Sequence, residues 1–217
     1  CLINSYINPE NENIVKRIIS KQFPDVNISL SSEISPLIRE YERMSTTICN
    51  AYIQPLAKNY LDGIVSNLAK NKYKSPLRLM LSSGGITSVE ISKKFPIRLI
   101  ESGPAAGAIA AAFLGKKSGF SDLLSFDMGG TTAKATLIDG FEPELTNTFE
   151  VARIYRFKKG SGFPVSVPSV DLVEIGAGGG SLAKADQFGL LKVGPESAGA
   201  EPGPASYDQG GKVAAVT

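Results

Sequence analysis

Leu123-Leu124-Ser125-Phe126-Asp127-Met128-Gly129-Gly130-Thr131-Thr132-Ala133-Lys134-Ala135-Thr136-Leu137-Ile138-Asp139-Gly140 is the stretch whose reading decides the fold. An apolar run ends at Asp127, two glycines and two threonines follow, and a second run closes on Asp139-Gly140. The pattern predicts a strand, a Gly-Gly-Thr turn, a second strand, and a type I′ turn centred on Asp139-Gly140, where both residues tolerate positive φ. A third strand is expected from about residue 144 to 157. Such an antiparallel meander differs from nucleotide loops that pass from a strand directly into a helix, and residues 129–134 lack the GxxxxGK[ST] spacing. The chemistry still suits a phosphate. Adjacent glycines let backbone N–H groups approach anionic oxygens, Thr131 and Thr132 supply hydroxyls, and Asp127 at the strand end is a candidate Mg²⁺ ligand, directly or through water. A tight hairpin with a capping aspartate is the competing reading.

A second glycine cluster weighs against that plainer alternative. Asp171 to Ile175 reads as a strand and runs into Gly176-Ala177-Gly178-Gly179-Gly180-Ser181, with four glycines in five positions. Such a run allows backbone to lie against a flat or anionic ligand. Alone, a flexible loop explains it equally well. Placed after a strand and about fifty residues beyond the first loop, it reads as the other half of a two-sided clamp.

Composition narrows the function classes. Of the 22 glycines, residues 1–100 hold only Gly63, Gly84 and Gly85, so nineteen fall in residues 101–217 and the chain changes character near its middle. The balance of 23 Lys+Arg against 21 Asp+Glu, net +2, leaves no electrostatic footprint for nucleic acid. With 42% hydrophobic residues, a mean hydropathy of +0.01 and no apolar run of membrane-spanning length, the expected protein is globular and soluble. There are no histidines, which excludes Ser-His-Asp and Cys-His triads and His-bearing zinc sites. Cys1 and Cys49 are too few for a disulfide framework, pointing to a reducing, cytoplasmic setting with Cys49 as a buried structural thiol. The start lacks an initiator Met and a signal-peptide pattern, so a segment of a longer chain is expected.

The first hundred residues read as helices with strands between them. Asn8-Pro9-Glu10 opens an amphipathic helix carrying Ile14, Val15, Ile18 and Ile19; Val26 to Leu30 alternates like a strand; Ser35-Pro36 opens a helix reaching Ala69, bent around Pro55. Leu77 to Leu81 reads as a buried strand ending in Ser82-Ser83-Gly84-Gly85, a position where α/β sheets bind ligands and where a plain strand-to-helix turn is an equal reading. The small-residue helix from Pro104 to Leu114 favours close packing over anion binding at its N-terminus. Arg39, Glu40, Glu42 and Arg43 read as a solvated or salt-bridged helix face. The basic loop Arg153 to Gly162 suits a local anion or a partner surface, and Glu196, Glu201 and Asp208 lie in a Pro/Gly-rich stretch read as a structured loop.

The motifs together resemble a known family. They are Leu30-Ser31-Ser32-Glu33, Arg39-Glu40-Tyr41-Glu42-Arg43, Ser45-Thr46-Thr47, Asn50-Ala51-Tyr52, Ser83-Gly84-Gly85, Ser102-Gly103-Pro104-Ala105-Ala106-Gly107, Phe126-Asp127-Met128-Gly129-Gly130-Thr131-Thr132, the Ile175 to Ser181 run, and Val193 to Ala205. In that order they resemble the hydantoinase A / 5-oxoprolinase family, which includes the acetone carboxylase β-subunit type, within the actin-like, sugar-kinase and Hsp70 ATPase superfamily. Tyr155-Arg156-Phe157-Lys158-Lys159-Gly160-Ser161-Gly162 looks closer to the N-methylhydantoinase type.

The resemblance implies an α/β, RNase-H-like fold in which a mixed sheet with an antiparallel meander is flanked by helices. Residues 1–100 would end a first lobe, 101–119 would form a linking helix, and 120–217 would begin a second lobe. It implies ATP and Mg²⁺ as cofactors, with Asp127 catalytic and metal-binding, and Gly129, Gly130, Thr131, Thr132, Gly178, Gly179, Gly180 and Ser181 contacting the nucleotide. The implied activity is ATP-driven ring opening of a cyclic amide with a hydantoinase B-type partner subunit. An acetone-carboxylase-type subunit, a sugar-kinase-like or acyl-phosphate-forming enzyme, and a non-catalytic nucleotide-binding or assembly domain are the other readings. Phosphoryl transfer needs positioning and charge stabilisation, which a chain without histidine can supply. In one respect the sequence departs from the family: members carry an earlier Asp-x-Gly-Gly-Thr loop, and none precedes Asp127. The isolated piece is expected to lack turnover.

Overall fold

The computed structural model describes residues 1–155, 158 and 160–217; Arg156, Phe157 and Lys159 of the basic loop lie outside the described residues. The helices are α1 (Glu10–Gln22), α2 (Ser31–Ile34), α3 (Glu40–Lys70), α4 (Val89–Lys94) and α5 (Ser102–Ser118). The strands are β1 (Arg78–Met80), β2 (Ile86–Ser88), β3 (Leu123–Met128), β4 (Ala133–Asp139), β5 (Glu142–Pro143), β6 (Leu145–Thr146), β7 (Phe149–Val151), β8 (Phe163–Val165), β9 (Ser169–Val170), β10 (Val173–Ile175), β11 (Ser181–Ala185) and β12 (Leu191–Ser197). No described helix is long and apolar enough to cross a membrane. The chain divides into two units, Cys1–Ala105 with Leu145–Ser169, and Ala106–Glu144 with Val170–Thr217. The division therefore differs from a simple lobe, linker and lobe order, because residues 145–169 return to the first unit.

Unit 1 is organised by α3, whose inward face is polar. Arg43, Ser45, Thr46, Thr47 and Asn50 are all buried. The side chains of Arg43, Thr46 and Asn50 satisfy backbone outside the helix that would otherwise be stranded without water. Arg43 donates to the carbonyls of Leu37 at 2.6 Å and Leu2 at 2.7 Å and lies over the Tyr6 ring. Asn50 donates to Ser29 Oγ and the Lys94 carbonyl and accepts the Ile97 amide. Thr46 Oγ1 accepts the Ser166 amide at 2.8 Å. Arg43 is thus a buried clip, correcting the solvated reading; Arg39 does stay exposed, pairing with Glu42 at 3.7 Å. Beside α3 the apolar core joins Ile34, Ile97, Val165 and Val167, with Cys49, Phe149 and Val151 against it.

Several local expectations shift. In α1 the apolar Ile14, Val15 and Ile18 are exposed and the buried residue is Glu12. Its carboxylate accepts from the hydroxyls of Ser31 and Ser32 and the amides of Leu2 and Ser32. Burial pushes this carboxyl up, but the hydrogen bonds from Ser31, Ser32 and Leu2 prevail and bring it down to about 2. Val26 to Leu30 alternates but has no partner strand among the described residues, and it leads instead into α2. α3 starts at Glu40 rather than at Ser35-Pro36, and continues past Pro55 to Lys70. Ser82 to Gly85 is the turn of the antiparallel β1–β2 hairpin rather than the mouth of a larger sheet. Its Ser82 hydroxyl is buried against the Arg98 carbonyl at 2.8 Å.

Unit 2 contains the expected meander in modified form. β3 and β4 pair antiparallel from Leu123↔Ile138 to Met128↔Ala133. The following turn sits one residue later than expected: Asp139 pairs with Glu142, and positive φ falls on Gly140 (56°) and Phe141 (70°). Asp122 accepts the Gly140 amide and Ser121 accepts that of Phe141, which anchors the turn in this register. The third strand is only β5, ending at Pro143, where proline offers no N–H to a ladder. The chain then leaves for unit 1 and returns as β10, which pairs with β4 through Val173↔Ala135, Glu174↔Lys134 and Ile175↔Ala133. In α5, Ala105, Ala108 and Ala112 are buried, the close packing its small residues predict.

Candidate phosphate-binding loop

Residues 129–132 join the ends of β3 and β4, closed by the Gly129 amide donating to the Thr132 carbonyl at 3.0 Å. Asp127, Gly129, Gly130 and Thr131 are exposed and Thr132 is half-buried. Beneath them lies the second glycine run, wholly buried from Gly178 to Ser181. The Gly179 amide donates to the Gly129 carbonyl at 2.9 Å and the Gly180 amide to the Gly130 carbonyl at 2.8 Å. The Gly178 amide donates to Ser181 Oγ at 2.9 Å.

Glycine at 178 is what allows this approach. A Cβ there would stand 2.6 Å from the Gly129 carbonyl oxygen and 2.7 Å from the Gly130 carbonyl carbon. At Gly180 it would stand 3.0 Å from the Gly130 oxygen. The run is therefore a platform under the first loop. It is not an opposing jaw: its three glycine amides are directed into the protein, unlike the arrangement expected for a two-sided clamp.

The platform also orients the first loop. In a trans peptide the C=O and the following N–H point in opposite directions. Because the Gly129 and Gly130 carbonyls point at the glycine run, the N–H groups of Gly130 and Thr131 point away from it, toward the exposed side. Among the described residues, neither of those amides has an acceptor within the chain. Two adjacent outward amides are an arrangement able to accept an anion, and the Asp127 carboxylate lies on the strand that enters the loop.

The sheet register adds a residue that motif reading passed over. Asp127 is directly opposite Lys134, and Lys134 is directly opposite Glu174, so one row across β3, β4 and β10 alternates in charge. Residues directly opposite share a face. Lys134 Nζ lies 3.5 Å from Glu174 Oε1 and donates to Thr132 Oγ1 at 3.4 Å. A register assignment, unlike the Gly-Gly-Thr pattern, would have revealed it.

No cluster of three or more His, Cys, Asp or Glu that could cage a metal occurs among the described residues. The donor set fits Mg²⁺ bound through one carboxylate and substrate phosphates, the usual mode for that ion. The other candidates are engaged locally. Arg153 pairs with Glu150, whose carboxyl is lowered chiefly by the Gly160 amide. Glu196 pairs with Lys184 across the β11–β12 hairpin, which lowers its carboxyl.

Comparison with known proteins identifies relatives that align with nearly all of this chain. An uncharacterised protein of Methanocaldococcus jannaschii is 44% identical over 218 residues, covering 99% of this chain and 32% of its own. The caprolactamase α subunit of Pseudomonas jessenii is 35% identical (97% and 29%), and the 5-oxoprolinase of Saccharomyces cerevisiae 34% identical (96% and 15%). The chain thus spans about a third or less of these relatives. The crystal structure of the ATP-dependent caprolactamase superposes with a TM-score of 0.73 at 34% identity, covering 98% of this chain and 30% of that one. Nucleotide-free acetone carboxylase gives 0.74 at 29% identity, covering 99% and 29%. Residues 43–217, which contain most of α3, both glycine loops and the charged row, match the family model described as hydantoinase/oxoprolinase, and the chain belongs to that family.

Proposed function

We propose that residues 127–132 bind the phosphates of ATP·Mg²⁺ within an RNase-H-like lobe, and that the chain serves a cytoplasmic, ATP-dependent enzyme opening cyclic amides. The observation carrying this reading is the pair of outward amides at Gly130 and Thr131, held by the Gly178–Gly180 platform next to Asp127. When bound, ATP supplies a γ-phosphoryl group that activates a cyclic amide oxygen toward ring opening by water. The chain's own residues bind and orient: the two amides and the Thr131 hydroxyl hold phosphate oxygens, and Asp127 holds the magnesium that neutralises them. Gly178, Gly179, Gly180 and Ser181 act in this reading by fixing the first loop. The caprolactamase and 5-oxoprolinase likenesses support a lactam-type substrate, and the subunit designation of the caprolactamase supports a partner subunit.

The test is Asp127→Ala in the full-length polypeptide. Abolished substrate-coupled ATP hydrolysis is expected, and unchanged turnover overturns the proposal. The likeness to acetone carboxylase supports a second reading, an ATP-dependent carboxylase subunit. The products separate the two: a ring-opened amino acid with inorganic phosphate, against a carboxylated ketone.

A further inference from the structure

We propose that Lys134 is the cationic arm of the loop: its ammonium moves from Glu174 to the terminal phosphate oxygens of the bound nucleotide. This rests on the phosphate reading of residues 127–132 and adds what backbone amides lack, a full positive charge. Three observations converge on it. Lys134 is the only cation in the sequence of β3, β4 and β10, and it stands opposite Asp127, one pair back from Met128↔Ala133 at the mouth of the loop. Its ammonium already reaches the loop, 3.4 Å from the Thr132 hydroxyl. Its side chain is only 16% exposed, whereas its partner Glu174 is 55% exposed at 3.5 Å.

That asymmetry is informative. An ion pair with so exposed an acid is weak, so the ammonium can leave Glu174 at little cost. A phosphate oxygen presented by the same loop makes a shorter, charge-assisted hydrogen bond and outcompetes the carboxylate. Glu174 in this scheme parks the ammonium beside the loop between turnovers.

The test measures binding of Mg·ATP, Mg·ADP and adenosine to the full-length polypeptide and to its Lys134→Met, Lys134→Arg and Glu174→Gln variants. Methionine keeps the length and packing of the stem without the charge. Lys134→Met is expected to weaken Mg·ATP by about tenfold or more, weaken Mg·ADP less, and leave adenosine unchanged. Lys134→Arg is expected to restore most of the ATP affinity, and Glu174→Gln to bind ATP at least as tightly as the parent. Unchanged ATP affinity in Lys134→Met overturns the role of Lys134 while leaving the loop's reading intact. Equal weakening of ATP and adenosine, or weaker ATP binding in Glu174→Gln, assigns the pair a structural role and also overturns it. A parent that binds no ATP removes the phosphate reading itself.

Discussion

Replacing Gly178 by alanine puts a methyl group where two backbones already touch. The new Cβ would stand 2.6 Å from the Gly129 carbonyl oxygen, 2.6 Å from the Thr131 carbonyl carbon and 2.7 Å from that of Gly130. Unstrained carbon contacts lie at about 3.5–4.0 Å. All three neighbours are backbone, so no side chain can swing aside and the loops must separate by roughly 1 Å. That movement breaks the Gly179 to Gly129 and Gly180 to Gly130 hydrogen bonds, now 2.9 and 2.8 Å. Overpacking costs about 1–3 kcal/mol, and each net backbone hydrogen bond about 1 kcal/mol. A loss of about 3–5 kcal/mol is therefore expected, lowering Tm by roughly 6–20 °C.

Gly63→Ala is the matched control, because nothing outside its own helical turn lies within 4 Å in the middle of α3. The same substitution there should stabilise by about 0.5–1 kcal/mol. Urea or thermal denaturation of both variants should move them in opposite directions. A Gly178→Ala chain as stable as the parent would mean that the two loops are not in contact, and the outward orientation of the Gly130 and Thr131 amides would lose its support.

Glu12 gives a pH prediction. Its carboxyl titrates at about 2 when folded against an ordinary 4.5, so its contribution is complete above pH 4.5 and drains away as pH falls toward 2. The interval corresponds to about 3 kcal/mol; Glu12→Gln should be less stable at pH 7, with the gap to the parent closing near pH 2, and parallel urea-denaturation curves across that range would refute the buried-carboxylate account. Asn50→Ala removes the partner of the Ile97 amide and two further hydrogen bonds. It should cost about 2–4 kcal/mol, read as a lower denaturation midpoint; a shift under 0.5 kcal/mol would show that the clip is dispensable.

The elements most visible in the sequence were those with a strong local signal. The paired strands β3 and β4 followed from two alternating runs around a Gly-Gly-Thr turn, and α3 and α5 from long helical patterns. The turn after β4 moved by one residue because Ser121 and Asp122, distant in sequence, accept its amides. Val26 to Leu30 alternates as well as many strands do, but alternation cannot supply a neighbour to pair with. Arg43 looked like a surface charge because its acceptors are carbonyls, which carry no residue identity. For the same reason the glycine run was visible as a place of close approach, while the object it approaches was not. Composition records where a backbone can be contacted, and only the fold determines by what.

The return of residues 145–169 to unit 1 makes neither unit a continuous stretch of gene. A ribosome that has completed β3 and β4 has not yet made Val165 and Val167, which the core around Ile34 and Ile97 requires. It has not made β10, the edge partner of β4, either. Neither unit can therefore be completed before residues 165–175 have been made, whereas domains commonly finish one after another from the N-terminus. A break in the chain at residue 144 would leave two incomplete halves, and any exchange of one unit between relatives has to carry both crossings of the chain.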